Sequence, residues 1–179
     1  MKSNDNLPIE FWKECLSYDA DTGVLHWRQR PLEHFKTPQS HATWNKRFSN
    51  KPAGSPNDQR YIHIGMKHKL YKAHRIIWAL YYGEYPSEFI DHINGDRQDN
   101  RIENLRVVSA SINCQNVKLR HNSTSGCIGV TRCNSGFRSY IQVNGKRVYL
   151  GVFPSMEEAF AARKAAEIKH GYHENHGRR

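Results

Sequence analysis

The chain has 179 residues and carries 27 Lys and Arg residues against 17 Asp and Glu residues, a net charge of +10 at pH 7. This length suits one or two small domains, and the charge favours a polyanionic partner. The four cysteines form no CxxC pair, which argues against a zinc knuckle or a disulfide framework. No segment approaches the roughly 20 apolar residues that span a bilayer, so we expect a soluble, cytoplasmic protein with no membrane partner.

Residues 1–60 form an N-terminal region whose structure the sequence predicts only in part. Residues 7–18 predict a short amphipathic helix, because Ile9, Trp12, Cys15 and Leu16 recur at helical spacing. A turn at 21–23 then precedes a short strand at 24–27. Residues 28–60 are polar and rich in Pro, Gly and Asn, which indicates a loop whose basic residues either line DNA or are simply solvated.

Residues 61–121 alternate strand and helix patterns. The predicted elements are a hairpin of strands 61–64 and 70–73, a helix 74–82 that stops at Gly83, strands 89–93 and 105–108 around a polar loop, and a helix 110–119 capped by Ser109. This order places Asp91 and His92 on a strand and Asn113 near the start of a helix.

Residues 122–179 predict a separate module after a polar linker at 120–126. Its elements are strands 128–132, 137–143 and 147–153, followed by a helix that Ser155 caps and Gly171 ends. The dipeptide Asn144-Gly145 is a strong hairpin signal between the last two strands. The chain as a whole is therefore predicted to be α+β.

Four polar residues form the candidate site. Asp91 and Asn113 supply a carboxylate and an amide oxygen, the ligands that hard cations such as Mg²⁺ or Mn²⁺ prefer. Neutral His92 can take a proton from water near physiological pH, and Asn104 can hold that imidazole in its orientation. A metal, a base and a basic surface together suit a phosphodiester substrate. The alternative is structural, with Asp91 and Asn104 capping turns and His92 half-buried in a strand.

The segments around these residues resemble the HNH homing-type endonucleases of bacteriophages and group I introns. The similar segments are Ala73-His74-Arg75, Ile90-Asp91-His92-Ile93-Asn94-Gly95-Asp96, residues 99–106 and Ser109-Ala110-Ser111-Ile112-Asn113. The resemblance implies a ββα-metal core over residues 61–121, one metal ion held by Asp91 and Asn113, His92 as general base and Asn104 as its orienter. It also implies cleavage that leaves a 5′ phosphate, and a phage-encoded protein acting in a bacterial host.

Three further residues of this segment are candidates for contacting DNA. His74 is interpreted as structural support or a phosphate contact, with direct catalysis as the alternative, and Arg75 and Arg106 are interpreted as phosphate clamps. A lone Arg is more often an ordinary surface group, so this alternative stays open for both.

The C-terminal module is similar to the Apetala-type (ethylene-response-factor) DNA-binding domains of plants, which implies a three-stranded antiparallel sheet packed on one helix. The similar segments are 129–130, 137–141, 145–153 and 157–159. One sheet face is expected to enter the major groove of DNA. The residues expected to contact DNA are Arg132, Arg138, Tyr140, Gln142, Arg147 and Tyr149. An ordinary wet sheet surface is the alternative.

The sequence therefore predicts a divalent-metal-dependent DNA endonuclease that binds double-stranded DNA. A monomer would nick one strand, whereas a homodimer would cut both. The main alternative is a non-catalytic DNA-binding or regulatory protein that retains the fold. An RNA-binding module is a weaker alternative, and restriction rather than homing would use the same chemistry.

Overall fold

The computed structural model describes residues 6–109, 125–172 and 176–177. The chain divides into two compact units, Met1–Val107 and Val108–Arg179. Helices and antiparallel sheets occur in both, which confirms the predicted α+β class. The elements are α1 (Ile9–Cys15), β1 (Leu16–Asp19), β2 (Val24–Trp27), α2 (Pro38–Phe48), β3 (Ser55–Pro56), β4 (Ile62–Met66), β5 (Lys69–Lys72), α3 (Ala73–Tyr82), β6 (Phe89–His92), β7 (Leu105–Val108), β8 (Val130–Cys133), β9 (Gly136–Val143), β10 (Lys146–Phe153) and α4 (Met156–Lys169). The predicted helix 110–119 lies outside the described residues.

The first helix is shorter than predicted. It ends at Cys15, and Leu16 is already extended, with φ −134° and ψ 146°. Leu16 then pairs with Trp27 as β1 and β2 form an antiparallel hairpin. Leu16 is buried in either conformation, so its spacing fitted a helix as well as a strand. The prediction of helix beyond residue 15 was wrong.

Residues 28–60 are not one long loop, because α2 occupies Pro38–Phe48. Thr37 caps this helix: its hydroxyl oxygen accepts from the Ser40 amide at 3.2 Å. Asn45 holds the helix to the chain before it, accepting from the Arg30 amide at 3.0 Å and donating to the Arg30 carbonyl at 2.9 Å. The helix has few apolar residues, which is why its periodicity did not reveal it.

The hairpin of β4 and β5 leads directly into α3. Lys67 and His68 at its turn have φ of 48° and 61°, the pair of positive values that a tight two-residue hairpin requires. The predicted helix after it is confirmed, and it ends at Gly83 in the left-handed conformation with φ 79°.

One hydrophobic core serves the whole first unit. It combines residues from the predicted N-terminal region with residues of the predicted catalytic region. The core residues are Trp12, Cys15, Leu16, Leu25, Trp27, Ala53, Ile64, Met66, Ala73, Ile76, Ile77, Ile90 and Leu105. The strand that carries Asp91 and His92 is thus anchored on elements from both regions through Ile90.

The second unit has the predicted three strands and one helix. The strands lie in the order β10, β9, β8, all antiparallel, and α4 packs on the sheet. Ser155 caps the helix by accepting from the Glu158 amide at 3.2 Å, as its sequence predicts. No helix within the described ranges is long and apolar enough to cross a membrane.

A buried ionic network joins α4 to the sheet. Arg163 is only 2% exposed. Its guanidinium donates to Glu167 at 2.9 Å and to the Tyr140 carbonyl at 2.6 Å, and a third nitrogen lies 3.0 Å from His176 Nε2. Since these partners come from α4, from β9 and from near the chain end, this one side chain fixes three segments of the unit.

Candidate active site

Strand β6 carries the acid and the imidazole side by side. Asp91 is 8% exposed and His92 is 3% exposed. β6 is hydrogen-bonded to β7 in a two-stranded sheet, and the Ile93 amide donates to the Asn104 carbonyl at 2.9 Å. The backbone on both sides of the loop at 94–104 is therefore held, and the two polar side chains lie on a fixed support.

Asp91 forms an ion pair with Arg106 of β7. The guanidinium places Nη2 at 2.8 Å and Nε at 3.1 Å from the same oxygen, Oδ2. Arg106 was expected to clamp a DNA phosphate. In this structure its charge instead neutralises the candidate metal ligand, and so this carboxylate already binds one cation.

His92 is oriented by Asn100, a residue of the similar segment 99–106 to which the sequence analysis gave no role. Asn100 donates its amide hydrogen to the Gln98 carbonyl at 3.2 Å, so its Oδ1 faces the imidazole, 3.0 Å from Nε2. An oxygen only accepts, so Nε2 carries the hydrogen. In the neutral ring, Nδ1 is then the nitrogen that can accept a proton.

Burial keeps His92 neutral. It lowers the pKa of His92 from the ordinary value near 6.5, while the hydrogen bond with Asn100 and the charge of Asp91 act in the opposite direction. A neutral imidazole is the form that a general base needs.

His74 of α3 packs edge-on against His92, with ring centroids 5.1 Å apart and an interplanar angle of 88°. It is 3% exposed, and its Nδ1 has no hydrogen-bond partner among the described residues. Burial, followed by the neighbouring His92 and Lys72, lowers the pKa of His74 to about 2. Of the two expectations for His74, this position agrees with structural support.

Asn104 organises the loop that follows His92. Its Oδ1 accepts from the Asn94 amide at 2.9 Å, and its Nδ2 donates to Asn94 Oδ1 at 3.1 Å and to the Asp99 carbonyl at 2.7 Å. Asp99 in turn binds Arg101, whose hydrogen bonds lower the pKa of Asp99 to about 2. Asn104 therefore acts on the loop around His92, while Asn100 contacts the ring.

The contacts of Arg75 differ from its expected role. Arg75, expected as a phosphate clamp, donates to the backbone carbonyls of Glu88 and Pro86 at 3.0 and 3.1 Å. It thereby holds the segment that leads into β6. Asn113, the second predicted metal ligand, lies outside the described residues.

The turn between β1 and β2 supports the loop of Asn100. Tyr18 donates its hydroxyl to the Asn100 carbonyl at 3.1 Å. Gly23, with φ 74°, lies so close that a Cβ there would stand 2.5 Å from the Arg101 amide nitrogen. The sequence signalled a turn at 21–23, but nothing in it revealed that this turn packs against residues some 80 positions later.

Tyr61 is a site residue to which the sequence analysis gave no functional role. Its ring centroid lies 5.5 Å from that of His74 and 5.9 Å from that of His92. The phenol thus closes one side of the histidine pair and contributes to its burial.

The donor chemistry at Asp91 fits a hard divalent cation, since carboxylate oxygen is the ligand that Mg²⁺ prefers. The bound Arg106 guanidinium shows that a positive charge is accommodated there. Within the ranges that the structure describes, no three His, Cys, Asp or Glu side chains cluster as metal ligands. A site of one carboxylate and one carboxamide, as the sequence predicts, would not require such a cluster.

The open face of the C-terminal sheet presents most of the residues expected there. Strand pairing sets Arg147 opposite Gln142 and Tyr149 opposite Tyr140. The Arg147 guanidinium carbon lies 4.4 Å from the centre of the Tyr140 ring, a cation–π contact. A shallow depression of about 480 Å³ lies on this face, and it is lined by Thr131, Arg138, Tyr140, Arg147 and Tyr149.

Arg132 does not belong to this face. It pairs with Phe137, one residue out of phase with the pair of Thr131 and Arg138. Because side chains alternate along a strand, Arg132 lies on the opposite side of the sheet. The expectation that it contacts DNA together with Arg138 is corrected on this point.

Comparison with known proteins finds sequence similarity in the segment that contains Asp91 and His92. Residues 71–115 match the family model described as HNH endonuclease. One solved structure, of DNA binding and cleavage by the HNH homing endonuclease I-HmuI, is similar at 17% identity and a TM-score of 0.39, over 96% of this chain and 94% of that chain. A similarity this weak transfers neither a fold nor a function. No curated protein sequence matches the chain.

Proposed function

We propose that the protein is a divalent-metal-dependent DNA endonuclease of the homing type. The proposal depends on one observation above all: Asp91 and His92 lie buried and adjacent on β6, and Asn100 leaves Nδ1 of His92 as the proton acceptor. The match of residues 71–115 to the HNH endonuclease model and the net charge of +10 support the same function.

Each residue has a distinct task in the proposed mechanism. Nδ1 of His92 takes a proton from the attacking water, and Asn100 holds the ring while it becomes charged. Asp91, with Asn113 as the predicted second ligand, would hold a divalent cation such as Mg²⁺ or Mn²⁺. When bound, such a cation stabilises the charge that develops on the phosphate and the leaving oxygen. Asn104 keeps the loop after His92 in place.

The direct test is nicking of supercoiled plasmid with Mg²⁺ and with EDTA. Wild-type protein should convert the plasmid only with the metal, and Asp91→Asn should abolish conversion. Asp21→Asn, which removes a carboxylate from the exposed β1–β2 turn, is the matched control and should cut normally. Cleavage by Asp91→Asn at the wild-type rate would exclude the proposed site.

The same samples separate the enzyme from its main alternative. A non-catalytic DNA-binding protein would retain duplex DNA in a mobility-shift assay and leave the plasmid intact with every metal tested. Mapping the ends of products on a long duplex then reports whether one or both strands are cut and on which side the phosphate remains.

We further propose that the C-terminal sheet is a DNA-binding surface of the same enzyme. Arg138, Tyr140 and Arg147 on its open face combine positive charge with aromatic rings, as a major-groove reader would require. Its attachment to the nuclease unit raises the effective concentration of DNA at the active site, so two weak contacts give tight binding.

A further inference from the structure

Two cationic side chains share the ring of Tyr61. Lys72 Nζ lies 5.0 Å from the ring centre, and the guanidinium carbon of Arg97 lies 4.7 Å from it. Lys72 ends β5, whereas Arg97 comes from the loop after His92. Segments distant in the sequence therefore bring two positive charges to one aromatic residue.

The ring that holds this pair of cations also lies beside the candidate base. The same Tyr61 ring that carries Lys72 and Arg97 has its centre 5.9 Å from that of His92. A group bound by the two cations would therefore lie against the ring that borders the imidazole.

Neither charge is neutralised within the described residues. Arg97 donates to the backbone carbonyl of Gln59 at 3.0 Å, and no ion pair involves Arg97 or Lys72 in the described part of the chain. The two arginines that the sequence favoured are different: Arg106 is paired with Asp91, and Arg75 donates to backbone carbonyls. Of these four cations, Lys72 and Arg97 are thus the two that are available to an external anion.

The local electrostatics favours an anion at this position. Burial, followed by the charges of Arg75 and Arg97, lowers the pKa of Lys72, which shows that these positive groups repel one another. Lys72 also precedes α3, a helix of 10 residues whose N-terminus has no side-chain cap and no acid in its first turn. The helix dipole adds to the positive potential there.

We propose that Lys72 and Arg97, held on the ring of Tyr61, bind a backbone phosphate of the DNA strand next to the bond that is cut. This inference rests on the proposed nuclease function and adds a phosphate-binding site to it. Tyr61 is a positioning residue in this site, because its ring sets the two cations relative to His92.

The test measures how the affinity for a DNA duplex depends on salt. The variants are Lys72→Gln, Arg97→Gln and Lys13→Gln, with fluorescence anisotropy recorded in EDTA so that no cleavage occurs. Lys13→Gln is the matched control. This substitution removes the same charge, but Lys13 is exposed and already paired with Glu10 at 2.9 Å. Each lost phosphate contact reduces the slope of log K against log salt by about 1. We expect this reduction for Lys72→Gln and Arg97→Gln and no change for Lys13→Gln.

Two variants at Tyr61 test the role of the ring. Tyr61→Phe keeps the ring and should bind duplex DNA as the wild type does. Tyr61→Leu removes the ring and should reduce the salt slope by as much as a double variant that combines Lys72→Gln with Arg97→Gln. Circular dichroism verifies folding, and a misfolded Tyr61→Leu leaves the charge variants as the deciding result. Slopes for Lys72→Gln and Arg97→Gln equal to that of Lys13→Gln would overturn the inference. A wild type that binds duplex DNA but never nicks it would instead overturn the nuclease function.

Discussion

Arg106 of β7 reaches Asp91 of β6 and places two guanidinium nitrogens, at 2.8 and 3.1 Å, on a single carboxylate oxygen. The contact joins the two strands that flank the candidate site. It also gives Arg106 a role within the protein, since it neutralises an acid that is mostly buried.

The ion pair should contribute to stability. Arg106→Gln removes the guanidinium that binds the Asp91 carboxylate, and we expect the free energy of unfolding to fall by about 1–3 kcal/mol. Urea unfolding measures this loss. In a double-mutant cycle, Asp91→Asn should recover part of the loss caused by Arg106→Gln, because the carboxylate charge that Arg106 neutralised is then absent. Additive effects of the two substitutions would show that the pair is not coupled.

Orientation of the base by Asn100 predicts a non-additive effect on cleavage. His92→Ala should reduce the rate by about 10²–10⁴-fold, the usual contribution of a general base. Asn100→Ala should cost less, because the imidazole is still present but is held less firmly. The double variant should be no slower than His92→Ala alone, as single-turnover rates can show. A further loss in the double variant would mean that Asn100 acts elsewhere.

The sequence located the acid and the base but not their supports. Asp91 and His92 are neighbours on one strand, so a local motif was sufficient to predict both. The supports of His92 depend on tertiary structure: Asn100 reaches it only because the loop folds back, and the Tyr61 ring comes from the residue just before β4. Helix α2 was missed for a related reason, since few apolar residues mark it in the sequence and its polar anchor, Asn45, binds Arg30 in the chain before it.

Gly23 gives a test of the support from the β1–β2 turn. A Cβ at Gly23 would clash with the backbone of Arg101, and its φ of 74° strains any other residue. We expect Gly23→Ala to destabilise the protein by about 2 kcal/mol or more and to slow cleavage, because the loop that carries Asn100 must shift. Gly83→Ala is the matched control: φ is 79° there, but nothing lies within 4 Å of the added Cβ. Equal cleavage rates for the two variants would argue that the β1–β2 turn does not support the loop that carries Asn100.

The buried neutral ring of His74 predicts acid sensitivity. The pKa of His74 is about 2 in the folded protein and near 6.5 in the unfolded chain, so only the unfolded chain gains a proton as the pH falls below 6.5. Stability is therefore lost in this range, by up to about 1.4 kcal/mol per pH unit from this residue. His74→Phe cannot take up the proton, and between pH 7.5 and pH 5.0 it should lose about 2 kcal/mol less than the wild type in urea unfolding. Identical losses would mean that His74 is protonated in the folded state as well.

The two sides of the C-terminal sheet provide a matched pair of charge variants. Arg138 lies on the open face with Tyr140, whereas Arg132 lies on the opposite face. If the open face binds DNA, Arg138→Gln should weaken duplex binding and reduce its salt slope by about 1, and Arg132→Gln should leave the slope unchanged. Both variants remove one positive charge, so a loss of net charge alone would affect them equally. Equal slopes would therefore exclude this face as the DNA-binding surface, whereas a loss confined to Arg132→Gln would assign binding to the opposite side.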